Sequence, residues 1–183
     1  MNVTFEKTPN PDCLKFNLGF EFNKSPFSCT HISETDCSPL AYKLFEFPWT
    51  SEVFVGTNFI TLKKQDWVEW NSIATDIANF INEQIVNNEP LVVVSQSMSE
   101  SEIANLSLDE ISTRIKLILE NEIRPSLASD GGDIDFISYG DGILKVELKG
   151  ACKGCPSSTQ TLKQGIEGYL QELIPDLKKV ISI

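Results

Sequence analysis

The strongest constraint on the fold is the stretch at residues 95–107, SQSMSESEIANLS, which is polar, serine-rich and free of aromatic side chains. Such a segment offers too little apolar surface to offset the entropy of ordering it, and it reads as a linker. It lies a little past the middle of a 183-residue chain. Each flank is long enough for one small domain and too short for a large core. The expectation is an α+β protein of two small mixed domains, 1–90 and 107–183, joined through 91–106.

In the first part, VTFEKT (3–8) and LKFNLGF (14–20) read as strands, separated by PNPD, whose prolines forbid a continuing ladder. SPLAYKLF (38–45) reads as a helix capped by Ser38 with Pro39 at its first position. EVFVG and FITLKK around GTN signal a hairpin. From Asp66 onward, Trp70, Ile73, Ile77, Phe80, Ile81 and Ile85 recur at helical spacing. The predicted order is β-β-α-β-β-α.

The second part opens on a capping box, Ser107 with Glu110, and Leu108, Ile111, Ile115 and Ile118 line one face of a helix expected to end before Pro125. SDGGD then reads as a turn, with too few acids for a calcium loop and no lysine or helix start to bind phosphate. IDFISY and ILKVELKG form a hairpin around GDG (140–142), with Leu144, Val146 and Leu148 alternating with charged residues. A helix carrying Leu162, Ile166, Tyr169, Leu170 and Leu173 ends at Pro175, and KKVISI is a last strand. This predicts α-β-β-α-β, with GACKGCPSS between the second strand and the second helix.

Charge excludes one class of partner. A formal net charge of −11 leaves no basic stripe for nucleic acid or an anionic membrane surface. The longest apolar run, LVVV at 91–94, is far too short to cross a bilayer. The N-terminal residues show no secretory or organellar signal, and five cysteines, an odd number, favour a reducing compartment over a disulfide framework. The start at Met1 makes bacterial cytoplasm the expected location, with an organelle matrix the alternative for a processed eukaryotic chain.

Cys152 and Cys155 carry the chemistry. Ser157 and Gln160 form a further capping box, so the pair precedes a helix N-terminus, where free N–H groups and the helix dipole favour thiolates. Lys149, Lys153 and Lys163 surround the pair with no acid between residues 148 and 166, and would push the same way. Gly150 and Gly154 permit a tight turn, and Pro156 stiffens its exit. Two inert small side chains would want an apolar face, which this loop lacks. A thiol–disulfide oxidoreductase would use the same spacing, though usually with an aromatic residue before the first cysteine. A zinc or iron–sulfur site of the all-sulfur kind needs four ligands. His31, with Cys29 and Cys37, is a partial set in the other domain, and Cys13 reads as a small side chain at a strand start. Two-fold symmetry supplies the missing ligands most economically: a homodimer would bring four thiolates to one accessible site holding a 4Fe–4S cluster, a 2Fe–2S cluster or a single metal ion.

LASDGGDIDFI, LKVELKGACKGCPSSTQTLKQGIEGYL and PDLKKVISI closely resemble the NifU C-terminal-like, or Nfu-type, iron–sulfur proteins over residues 107–183. TPNPDCLKF, SPLAYKLF and VFVGTNFITLKK resemble the N-terminal domain that accompanies it. EFPWTSEVFVG departs from that pattern, which usually has a small glycine-containing turn there. The resemblance implies a non-enzymatic scaffold and carrier with Cys152 and Cys155 as cluster ligands. It would receive clusters, 4Fe–4S in preference to 2Fe–2S, from upstream assembly proteins and pass them to apo iron–sulfur proteins. A colourless zinc-bridged dimer is a third reading.

Overall fold

The computed structural model describes residues 2–93, 110–155 and 159–183, with side chains of residues 159–164 not described. Most of the expected linker, and the capping residues Ser107 and Ser157, lie outside the described residues.

The first domain is a five-stranded antiparallel sheet in the order β1-β2-β5-β4-β3: β1 (Thr4–Lys7), β2 (Cys13–Asn17), β3 (Phe27–Cys29), β4 (Thr50–Val55) and β5 (Phe59–Lys64). Alternation divides it into two faces. Leu14, Phe16, Val53, Val55, Ile60 and Leu62 form a core with Leu40, Ala41 and Leu44 of α1 (Pro39–Phe45) and Ala74, Ile77, Ala78 and Ile81 of α2 (Trp70–Val86). Ser38 caps α1 as expected, its Oγ accepting from the Ala41 N–H at 3.1 Å. It also donates to the Leu91 carbonyl at 2.6 Å, tying the chain beyond α2 to the start of α1. Strand β3 and a 3-10 turn at Ile32–Glu34 were not expected; a three-residue strand is too short to show alternation. In the divergent EFPWTSEVFVG segment, Trp49 is buried, stacked on Phe47 at 5.4 Å and edge-on to Trp70 at 6.0 Å.

The second domain has the expected α-β-β-α-β order. Its opening helix does not end before Pro125: α3 (Glu110–Ile118) passes through a π-helical turn (Leu119–Ile123) into α4 (Arg124–Ser129). The wider turn bonds the Arg124 N–H to the Leu119 carbonyl, one residue further back than in an α-helix. That shift accommodates a proline that lacks an N–H and crowds the preceding turn. β6 (Gly132–Gly140) and β7 (Ile143–Gly150) form the hairpin, closed by Asp141 and Gly142 at φ +54° and +81°. β8 (Lys179–Ser182) joins β7 in parallel after a crossover through α5 (Thr159–Leu173), making β7 the central strand. Ile115, Leu119, Leu127, Ile134, Leu144, Val146, Leu170 and Val180 belong to the core of this domain.

Candidate functional site

The cysteine loop leaves the C-terminal end of the central strand β7. Strand register sets Gly132 opposite Gly150, so the turn at residues 130–131 and the first residues of β6 become the wall of the loop. The Gly131 carbonyl accepts from the Ala151 N–H at 3.1 Å, and the Lys153 N–H closes back on the Gly150 carbonyl at 3.0 Å. A Cβ at Gly132 would overlap the Cys152 sulfur, so only glycine leaves that thiol its place. The SDGGD segment, read in sequence as a turn, thus also bounds the site.

Both thiols are buried: Cys152 is 4% exposed and Cys155 1%, and Cys152 packs at the edge of the second core. The helix start and the flanking lysines predict stabilised thiolates, and for Cys152 burial works the other way. Burial pushes that thiol up to about 12; Asp130, Cys155 and Asp133 push the same way. The flanking lysines do not offset this. Lys149 is turned away to Asp135, 2.5 Å from its carboxylate, and the Lys163 side chain lies outside the described residues. Asp133 is itself buried, which raises its pKa, while its bond from the Ile134 N–H and the Arg124 guanidinium pull it back. Arg124 holds this acidic corner together: Nη2 donates to the Ile134 carbonyl at 3.0 Å and to Asp135 at 3.1 Å, and Nε lies 3.1 Å from Asp133.

The burial comes partly from the other domain. The second face of the five-stranded sheet carries Cys13, Lys15, Glu52, Phe54, Phe59 and Thr61, each at 8% exposure or less. None of these residues belongs to either core cluster. Instead, Thr61 Oγ1 donates to the Gly131 carbonyl at 2.8 Å, Asn10 Nδ2 to the Ala151 carbonyl at 3.3 Å, and Lys15 Nζ to the Ser129 carbonyl at 3.2 Å. The Phe54 ring lies against the backbone of Gly150, leaving no room there for a Cβ. A cavity of about 30 Å³ lies between Phe54 and Phe59 on one side and Arg124, Gly132 and Asp133 on the other. Cross-strand register aligns Cys13, Lys63 and Glu52 in one row under the loop. Burial raises the Glu52 carboxyl, and Lys153, between the two cysteines, is the largest charge pulling it back. These first-domain residues carry no sequence motif; only their alternation with core positions marks them as one face.

The partial set in the first domain is not assembled. Cys29 is buried and donates to the Glu34 carbonyl at 3.3 Å, whereas His31 is exposed. Among the described residues, no three or more His, Cys, Asp or Glu side chains group closely enough to hold a metal ion. All five cysteines are thiols rather than disulfides. Burial works against thiolate formation at Cys152, and a thiol that stays protonated makes a poor nucleophile for disulfide exchange. Two adjacent thiols in a tight loop remain well suited to grip a soft metal centre once deprotonated by it.

Comparison with known proteins follows the same division. A family model described as NifU-like domain matches residues 115–181, and one described as scaffold protein Nfu/NifU N terminal matches residues 3–88. The protein named NFU1 iron-sulfur cluster scaffold homolog, mitochondrial, from Drosophila willistoni is 35% identical over 185 residues, covering 100% of this chain and 64% of its own length. Its counterpart from Drosophila persimilis is 36% identical, with 100% and 65% covered. The chain therefore spans just under two thirds of the length of these relatives. A solution structure of a NifU-like protein from Saccharomyces cerevisiae aligns with 53% of this chain and 87% of its own, at 25% identity and a TM-score of 0.45.

Proposed function

The chain belongs to the NifU-like family in its Nfu form, an Nfu N-terminal domain followed by a NifU-like domain, and on that premise we propose that it is a scaffold and carrier whose cargo is an iron–sulfur cluster. Cys152 and Cys155 are the ligands, and a second copy of the chain supplies two more thiolates across a two-fold axis. The observation that carries this reading is the placement of the pair: two thiols on one tight loop at the end of the central strand, with no third donor grouped beside them among the described residues. A complete four-ligand site then calls for another molecule.

The preferred cargo is 4Fe–4S, and 2Fe–2S fits the same four thiolates. Release needs no catalytic acid or base. Cysteines of an apo iron–sulfur protein displace Cys152 and Cys155 one at a time, each step exchanging one iron–thiolate bond for another, so the protein acts as a carrier rather than an enzyme. Clusters arrive from upstream assembly proteins. Five cysteines, an odd number, favour a reducing compartment, either bacterial cytoplasm or, for a eukaryotic chain, an organelle matrix; the insect relatives are mitochondrial by name.

Anaerobic reconstitution of Cys152→Ser and Cys155→Ser with iron and sulfide tests the assignment. Loss of the visible sulfur-to-iron absorbance in both variants, with far-ultraviolet circular dichroism unchanged, is the expected result. A Cys155→Ser protein that assembled a cluster of normal intensity would overturn it. A colourless wild-type protein that cycles to a Cys152–Cys155 disulfide would instead favour an oxidoreductase.

A further inference from the structure

We infer that the second face of the five-stranded sheet is a built-in cover for the cysteine loop, and that docking of this face and assembly of a cluster between two copies exclude each other. The inference rests on the shared-ligand reading above. The face is unusual for a small domain: it is buried, it sets Lys15, Glu52 and Thr61 beside Phe54 and Phe59, and it contributes to neither hydrophobic core. What buries it is the loop and its wall. Thr61, Asn10 and Lys15 each donate to a different carbonyl of residues 129–151, and Phe54 closes over Gly150. Backbone carbonyls recognised in this way specify position rather than bulk hydrophobic attachment.

The contact is also imperfect in a way that suits release. Glu52 is 6% exposed, and one of its carboxylate oxygens has no hydrogen-bond partner among the described residues. A buried carboxylate short of partners costs free energy that is recovered when the face returns to water. Four thiolates on one cluster must converge within a few ångström of a shared centre, and cysteines covered by their own chain leave no approach for a second copy. Loading therefore lifts the first domain off the loop and exposes its Cys13, Glu52 and Thr61 face.

Maleimide labelling of the full-length apo chain under reducing, non-denaturing conditions, read per cysteine by mass spectrometry, measures the cover without iron. Cys152 and Cys155 should label at least about tenfold more slowly than in the urea-unfolded chain, as for groups that react only through an opening. In Thr61→Val/Lys15→Met, which removes two of the interdomain bonds while keeping side-chain shape, they should label about tenfold faster than in wild type, while Cys29 keeps its wild-type rate. Native rates for Cys152 and Cys155 equal to the unfolded rates would overturn the inference. So would unchanged rates in the variant. If Cys29 accelerates as well, the variant has loosened the whole domain, and the wild-type comparison decides: Cys13 must label about tenfold faster in the cluster-loaded chain than in the apo chain. A loaded chain whose Cys13 stays protected contradicts exclusion. Failure to assemble any cluster defeats the carrier reading, while the apo labelling still decides whether the loop is covered.

Discussion

Cys152 holds its position because of Gly132, a residue twenty places earlier in the chain that has no side chain. Gly132→Ala puts a methyl group into the space of the Cys152 sulfur, and the expected loss is about 1–3 kcal/mol from overpacking, read as a lower urea midpoint. Gly154→Ala is the control. Nothing lies within 4 Å of a Cβ there, so only the left-handed φ of +67° opposes it, a cost of about 1–2 kcal/mol without displacement of either thiol. Only Gly132→Ala should also change Cys152 labelling; equal labelling in both variants would contradict the wall. At this scale the cysteine pair was legible in the sequence, because its residue types, spacing and strand-to-helix position lie within nine residues. The state of the thiol was not. Asp130 and Asp133 reach Cys152 through hairpin register, and Lys149 is diverted to Asp135, so local charge counting pointed the wrong way.

Among the elements, those with local signals were readable and those set by tertiary contacts were not. Ser38 capped α1 as its position before Pro39 indicated, and the Asp141–Gly142 turn closed the β6–β7 hairpin. Strand β3 exists because β4 offers it an edge, a fact absent from its own three residues. The rule that proline ends a helix failed at Pro125 because the π-helical turn shifts the hydrogen-bond ladder just ahead of it. Ser38→Ala should cost about 1–2 kcal/mol, toward the upper end for a cap, since the same hydroxyl also serves the Leu91 carbonyl. Thermal unfolding checks this, and a midpoint unchanged from wild type would show the cap to be dispensable.

For the whole molecule, the sequence divided the chain into two domains but could not place one on the other, because the joining contacts are side chains to backbone carbonyls with no pattern of their own. Burial gives the assembled chain a pH dependence. It pushes the Cys13 and Cys29 thiols from an ordinary 9.0 up to about 12. The folded chain therefore keeps protons that the unfolded chain releases. Their contribution to stability is complete below about pH 9 and is lost as pH rises toward about 12. The urea midpoint should be lower near pH 10.5 than near pH 8, and less so in Cys29→Ala; a midpoint flat across that interval would contradict the burial of these thiols.

The most direct test of the carrier account is the stoichiometry and mass of the reconstituted protein. After anaerobic loading, iron, acid-labile sulfide and molar mass are measured on the same size-exclusion peak. The account predicts a dimer with about two irons and two sulfides per chain, lost in both Cys152→Ser and Cys155→Ser. A full cluster on a monomer, with Cys152 and Cys155 still open to alkylation, would contradict it.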